Sequence, residues 1–203
     1  MPEILYLALG DSYTIGTGAQ DPSRSFPALL AGRLREATGE AVRLVNPAVD
    51  GYTAGDVLER ELSWLHSEPP QRVSVLAGAN DVARGRSLDH YGRDLTAILD
   101  AVAQIGAPPR HTVVVSVPDW SVTPAAADYG RPAELRRRIE AANGLAASEA
   151  AARGFPFADV TEVSRRPARG EGWLSPDGLH PGDAQYAAWA EAIWAVVGDS
   201  WAG

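Results

Sequence analysis

Two hydrophobic periods alternate along the chain. Short β-rich apolar runs at residues 4–9, 42–46, 72–77, 111–117 and 155–160 read as strands. The segments between them follow a helical period instead. Leu88, Tyr91, Leu95, Ile98, Val102 and Ile105 recur at i, i+3, i+4 and i+7. They predict a helix that Ser87 caps and Gly106 stops. Leu135, Ile139, Ala142 and Leu145 repeat the pattern, and Tyr186, Trp189, Ala190, Ile193, Trp194 and Val197 share one face of a last helix. Residues 25–38, closed by Gly39, and residues 54–65 complete the set. Five strands alternating with helices predict an α/β fold, a parallel sheet with right-handed crossovers and helices on both sides.

The chain has 203 residues, with no repeat, low-complexity tract or linker, so residues 1–203 read as one domain. With 45% hydrophobic and 22% charged residues, the composition is that of a globular domain. All 18 basic residues are Arg, and Cys is absent. A Schiff-base lysine, a phosphate-loop lysine, a Ser–Lys dyad, disulfides, a thiolate nucleophile and a cysteine zinc site are thereby excluded. The net charge of -8 argues against nucleic acid or an anionic membrane as main partner. No apolar run approaches the ~20 residues that span a bilayer, so stable membrane association is not expected. The run at 4–9 lacks a preceding basic region and continues into Asp11, which reads as a strand and not a signal peptide. A cytoplasmic enzyme is the expectation.

In an open parallel sheet, ligands bind beyond the carboxyl ends of the strands. Gly10-Asp11-Ser12-Tyr13 follows the first strand, and Asn46-Pro47-Ala48-Val49-Asp50-Gly51-Tyr52-Thr53 the second. Gly78-Ala79-Asn80-Asp81 follows the third, and Asp177-Gly178-Leu179-His180-Pro181 lies beyond the last. Ser12, in a strand-to-helix turn, has the makings of a nucleophile. His180 is the candidate base, and Asp177, three residues upstream, is placed to hold its Nδ1–H. The Ser12 and Gly51 backbone N–H groups and the Asn80 amide are candidate oxyanion donors. Each residue also has a plainer reading. Ser12 reads as a helix cap, Asn80 or Asp81 as a turn cap, Gly51 as a positive-φ turn residue, and His180 as a surface residue. His66, His90 and His111 lack metal-ligand spacing, and no metal site is expected. Residues 10–18 match no phosphate-binding motif. Arg136, Arg137 and Arg138 read as the wet side of their helix. The expected loops are 78–86, 118–132 and 164–182; the second and third are long for such connections, and read either as functional or as surface decoration.

These four blocks, in this order and each at a strand's end, resemble the SGNH (GDSL) hydrolase family. The resemblance implies a three-layer α/β/α sandwich with a flavodoxin-like sheet. It assigns Ser12 as nucleophile, Asp177 and His180 as the remaining triad, and Ser12, Gly51 and Asn80 as the oxyanion hole. It implies a serine carboxylester hydrolase acting on a small-molecule ester, with no metal and no organic cofactor. Tyr13 departs from the Leu of the family's name-giving motif and bears on pocket shape. Trp120, Tyr129 and Trp173 are candidates to line an acyl or sugar pocket. Arg165, Arg166 and Arg169 either meet an anionic leaving group or are simply solvated. With no lid domain, short acyl groups are expected. The rival readings are an acyltransferase, a carbohydrate O-acetyl esterase or lysophospholipase on the same site, and a non-catalytic flavodoxin-like binding module.

Overall fold

In the computed structural model, residues 3–166 and 172–203 are described. Five strands form one parallel sheet: β1 Glu3–Gly10, β2 Ala41–Val45, β3 Arg72–Leu76, β4 Thr112–Val115 and β5 Phe157–Ala158. Their spatial order is β2-β1-β3-β4-β5, the flavodoxin-like arrangement, with the switch in winding between β1 and β3. The helices are α1 Ser12–Ile15, α2 Phe26–Thr38, α3 Ala54–Arg60, α4 Trp64–Ser67, α5 Ala79–Ala83, α6 Leu88–Gln104, α7 Pro132–Ala152, α8 Thr161–Ser164 and α9 Asp183–Ala202. One layer pairs α2 with α9, and the other packs α6 between α3 and α7. The three-layer sandwich is the architecture that the strand and helix periods imply.

Each layer is driven by burial. β3 and β4 are buried along their whole length, as a parallel strand covered on both faces must be. On α9, Tyr186, Trp189, Ala190, Ile193, Val197 and Trp201 are buried, and Trp201 meets the Tyr6 ring edge-on at 5.1 Å. The long amphipathic helix α6 has its N-cap at Ser87, as read from the sequence. α2 ends at Gly39, whose φ is +71°.

Three elements differ from the expectation. Residues 54–65 do not form one helix: α3 stops at Arg60, and Glu61 turns inward so that Gly10 N–H donates to its Oε2 at 3.0 Å. The predicted strand over 155–160 shrinks to two residues at the sheet edge. Side chains replace the ladder there: Val160 N–H donates to Ser116 Oγ at 2.9 Å, and Ser116 Oγ donates to Asp159 at 3.2 Å. Arg136 is exposed yet reaches across to buried Asp119 at 3.3 Å, so the arginine run is not wholly solvated. No helix among the described residues is long and apolar enough to cross a membrane.

Candidate active site

The first strand ends in a tight turn that only glycine permits. A Cβ at Gly10 would lie 2.3 Å from the Leu76 carbonyl oxygen of the neighbouring strand. Asp11 follows, fully buried, and caps α1 by accepting the Tyr13 N–H at 3.0 Å. This corrects the plainer reading of Ser12. The cap is Asp11, so the Ser12 hydroxyl is released from capping and turns to His180 instead. His180 Nε2 lies 3.1 Å from Ser12 Oγ, and His180 Nδ1 lies 2.6 Å from Asp177 Oδ2.

Asp177 is held from several sides at once. Ser175 Oγ donates to its Oδ1 at 2.6 Å, as do the Leu179 and His180 N–H groups at 2.8 and 2.9 Å. Partial burial pushes this carboxyl up, but the hydrogen bonds from Ser175, His180 and Leu179 outweigh it. They hold it well below the usual carboxylate range. Asp177 is therefore an anion poised to receive the imidazole N–H. Ser175 is a site residue that sequence reading missed. Its signal was a serine two residues before an acid, the pattern of a local side-chain turn.

Gly51 sits in a turn in which Tyr52 N–H donates to the Val49 carbonyl at 3.2 Å. Its φ of +81° is one that other residues rarely adopt, and among the described residues its N–H donates to no acceptor. The Ser12 N–H is likewise unpaired among the described residues, at the first position of α1. Asn80 lies inside α5 and caps no turn, which corrects that alternative. Its Nδ2 donates to the Tyr52 carbonyl at 3.0 Å and makes a long 3.5 Å contact with Asp11 Oδ2. Asp81 is buried and binds elsewhere, accepting from Ala54 N–H at 2.8 Å and Arg86 at 2.9 Å.

A cavity of about 220 Å³ opens over these groups, lined by Ser12, Tyr13, Gly51, Asn80 and His180 together with Trp120 and Tyr129. Trp120 and Tyr129 meet edge-on at 5.2 Å, and Tyr13 packs 5.6 Å from the His180 ring and 5.7 Å from Trp189. Tyr13 therefore buttresses the His180 ring as well as lining the cavity. Trp173 is not among the lining residues; it packs against the core, so its expected place in the pocket is corrected. Asp50, Ala79, Ala83 and Leu179 line the cavity without having been singled out. Arg165 is partly exposed and paired with Asp119 at 2.6 Å, Glu162 at 2.8 Å and Glu140 at 3.0 Å, and it does not line the cavity. Arg169 lies outside the described residues. Among the described residues no group of three His, Asp or Glu is placed to hold a metal ion.

Two buried carboxylates lie beneath the turn. Burial pushes Asp11 up to about 7, with Asp81 adding to the rise and the Tyr13 N–H opposing it. Burial pushes Glu61 up to about 8 against the Gly10 N–H, with Asp11 adding to the rise.

The GDSL-like lipase/acylhydrolase family matches residues 8–188. A GDSL-like esterase of Mycobacterium tuberculosis is 26% identical over 201 residues, covering 98% of this chain and 63% of that protein. The chain thus spans less than two thirds of the length of that relative. A lipase of Streptomyces rimosus is 29% identical, over 83% of this chain and 75% of that one. In fold, the chain is similar to a structure of an acetylxylan esterase from Geobacillus stearothermophilus, with a TM-score of 0.76 at 19% identity, covering 98% of this chain and 95% of that one.

Proposed function

The chain belongs to the GDSL-like lipase/acylhydrolase family, and on that premise we propose that it is a serine ester hydrolase whose acyl-enzyme forms on Ser12. One observation carries the reading: the hydrogen-bonded chain Ser12–His180–Asp177, at 3.1 and 2.6 Å, opens onto a cavity that Gly51 and Asn80 also line. Ser12 Oγ attacks the ester carbonyl carbon while His180 Nε2 takes its proton. Asp177 fixes the tautomer with Nδ1 protonated and stabilises the imidazolium. The carbonyl electrons move to oxygen, where the Ser12 and Gly51 N–H groups and the Asn80 amide receive the charge. When the intermediate collapses, the C–O bond to the alcohol breaks and His180 protonates the departing oxygen. Water, deprotonated by His180, then attacks the acyl-enzyme, and as its C–O bond to Ser12 breaks His180 gives the proton to Ser12 Oγ.

The size of the cavity and its Ala79, Ala83, Trp120, Tyr129 and Leu179 walls support small, short-acyl esters as substrates. Each further buried methylene gains ~0.8 kcal/mol only where there is room for it. The acidic surface supports a neutral small molecule over a nucleic acid as partner. A fluorophosphonate followed by peptide mapping tests the assignment. The label is expected on Ser12 alone, and an active preparation labelled at another serine would overturn it.

A further inference from the structure

An oxyanion donor works only if it is fixed before the charge develops. Gly51 is the donor with the least to fix it. It has no side chain, its φ is +81°, and its N–H makes no bond within the described residues. The turn bond from Tyr52 N–H to the Val49 carbonyl spans Gly51, and the direct restraint on its own peptide groups comes from the carbonyl side. Arg84, the residue that closes α5, supplies it: Arg84 Nη2 donates to the Gly51 carbonyl at 2.7 Å. The guanidinium also lies against the glycine itself, since a Cβ built there would be 3.4 Å from Nη2. The nearby acids have other partners. Asp56 faces Arg60 at 3.7 Å, and Asp81 holds Arg86 at 2.9 Å.

Arg84 does not act by itself. Asn80 holds the Tyr52 carbonyl at 3.0 Å, and Asp81 accepts from the Ala54 N–H at 2.8 Å. Arg84 N–H in turn donates to the Asn80 carbonyl at 3.0 Å, so the side chains at 80 and 84 are one helical turn apart. A single short helix thus grips residues 51, 52 and 54 in succession, and its outermost grip is the one on the donor residue.

We propose that Arg84 is a positioning residue for the reaction: it pins the Gly51 carbonyl so that the Gly51 N–H stays aimed at the developing oxyanion. The inference rests on the serine ester hydrolase reading. The Arg84 side chain is exposed, and an exposed hydrogen bond adds little to stability. Its loss should therefore appear in rate and not in folding.

The test compares wild type, Arg84→Met and Arg84→Lys by steady-state kinetics on a p-nitrophenyl short-chain ester, fluorophosphonate labelling rate and thermal melting. Arg84→Met keeps the aliphatic stem and removes the donor. We expect kcat to fall about tenfold with KM nearly unchanged, as when an interaction made in the transition state is lost. The labelling rate at Ser12 should fall with it, the melting temperature should hold, and Arg84→Lys should recover most of the loss. If Arg84→Met keeps the wild-type kcat, or raises KM alone, Arg84 does not position the donor. If wild type itself is active but is not labelled on Ser12, the hydrolase reading fails first and takes this proposal with it.

Discussion

Ser12 and Asn80 stand on short helices just past strand ends that the sheet fixes, whereas Asp177 and His180 stand on a loop held largely by its own bonds. On the nucleophile side the restraints are long-range. Gly10 is bound by Glu61, Asn80 reaches Tyr52, and Asp81 reaches Ala54, so each piece is held by another element. On the base side they are local. The Asp177 carboxylate is bonded to Ser175, Leu179 and His180, all within three residues of it. The exposures differ accordingly, with Asp11 at 0% and Ser12 at 7%, but the Asp177 side chain at 45%. A local unit keeps its own internal geometry, and the fold ties it down where the Ala125 N–H donates to the Gly178 carbonyl at 3.1 Å and at the Ser12–His180 joint. That joint is braced by Tyr13 against the His180 ring and by Tyr186, whose hydroxyl donates to the Thr17 carbonyl at 2.8 Å.

The contrast can be broken first at Asp177. Asp177→Asn removes the anion that selects the productive tautomer, and kcat should fall by up to about 10⁴ while the fold persists. Circular dichroism and steady-state kinetics check both halves of that statement. A loss below about tenfold would mean that the loop unit orients His180 without its carboxylate.

A smaller effect is expected on the sheet side. Asn80→Asp nearly preserves shape, yet it places a carboxylate near buried Asp11, whose carboxyl burial pushes up, and repels an oxyanion. The expected loss is about 10²–10³ in kcat with KM little changed. Retention of most of the wild-type kcat would leave the oxyanion to the Ser12 and Gly51 N–H groups alone.

The smallest effect is on stability, and there the two sides titrate in opposite senses. Asp11 and Glu61 are raised to about 7 and about 8, so the folded state favours their neutral forms. Their contribution is complete below the ordinary carboxylate range, is lost as pH rises toward 8, and makes the protein less stable along the way. Asp177 is lowered, so its contribution is present above the ordinary range and lost in acid. Glu61→Gln should flatten the fall in urea midpoint between about pH 5 and 8, leaving the acid limb as it was. An unchanged slope would show that Glu61 is not the group responsible.

What the sequence made legible follows the same division. Strands and long helices announce themselves by period, and α6 appears with its cap at the expected residue. The four catalytic blocks are short and contiguous, so each could be read locally. Glu61 could not, because the break after α3 depends on its pairing with Gly10, fifty-one residues away in sequence. The small residues of the cavity wall were equally silent: Ala79 and Ala83 matter for the space they leave, and an alanine carries no signal of that kind. Trp173 misled for the opposite reason. A large ring near a motif attracts notice, but this one is packed against the core.

The edges of the sheet have a consequence outside catalysis. A long, flat, apolar outer strand offers its backbone to any unfolded neighbour and seeds aggregation. Here one margin, β5, is two residues long, with Ser116 hydrogen-bonded just beyond it. The other, β2, carries Arg43 paired with Glu3 at 3.0 Å and Glu68 at 2.5 Å. One border is too short to template a new strand and the other is guarded by charge, which favours a chain that refolds at high concentration without recruiting its own copies.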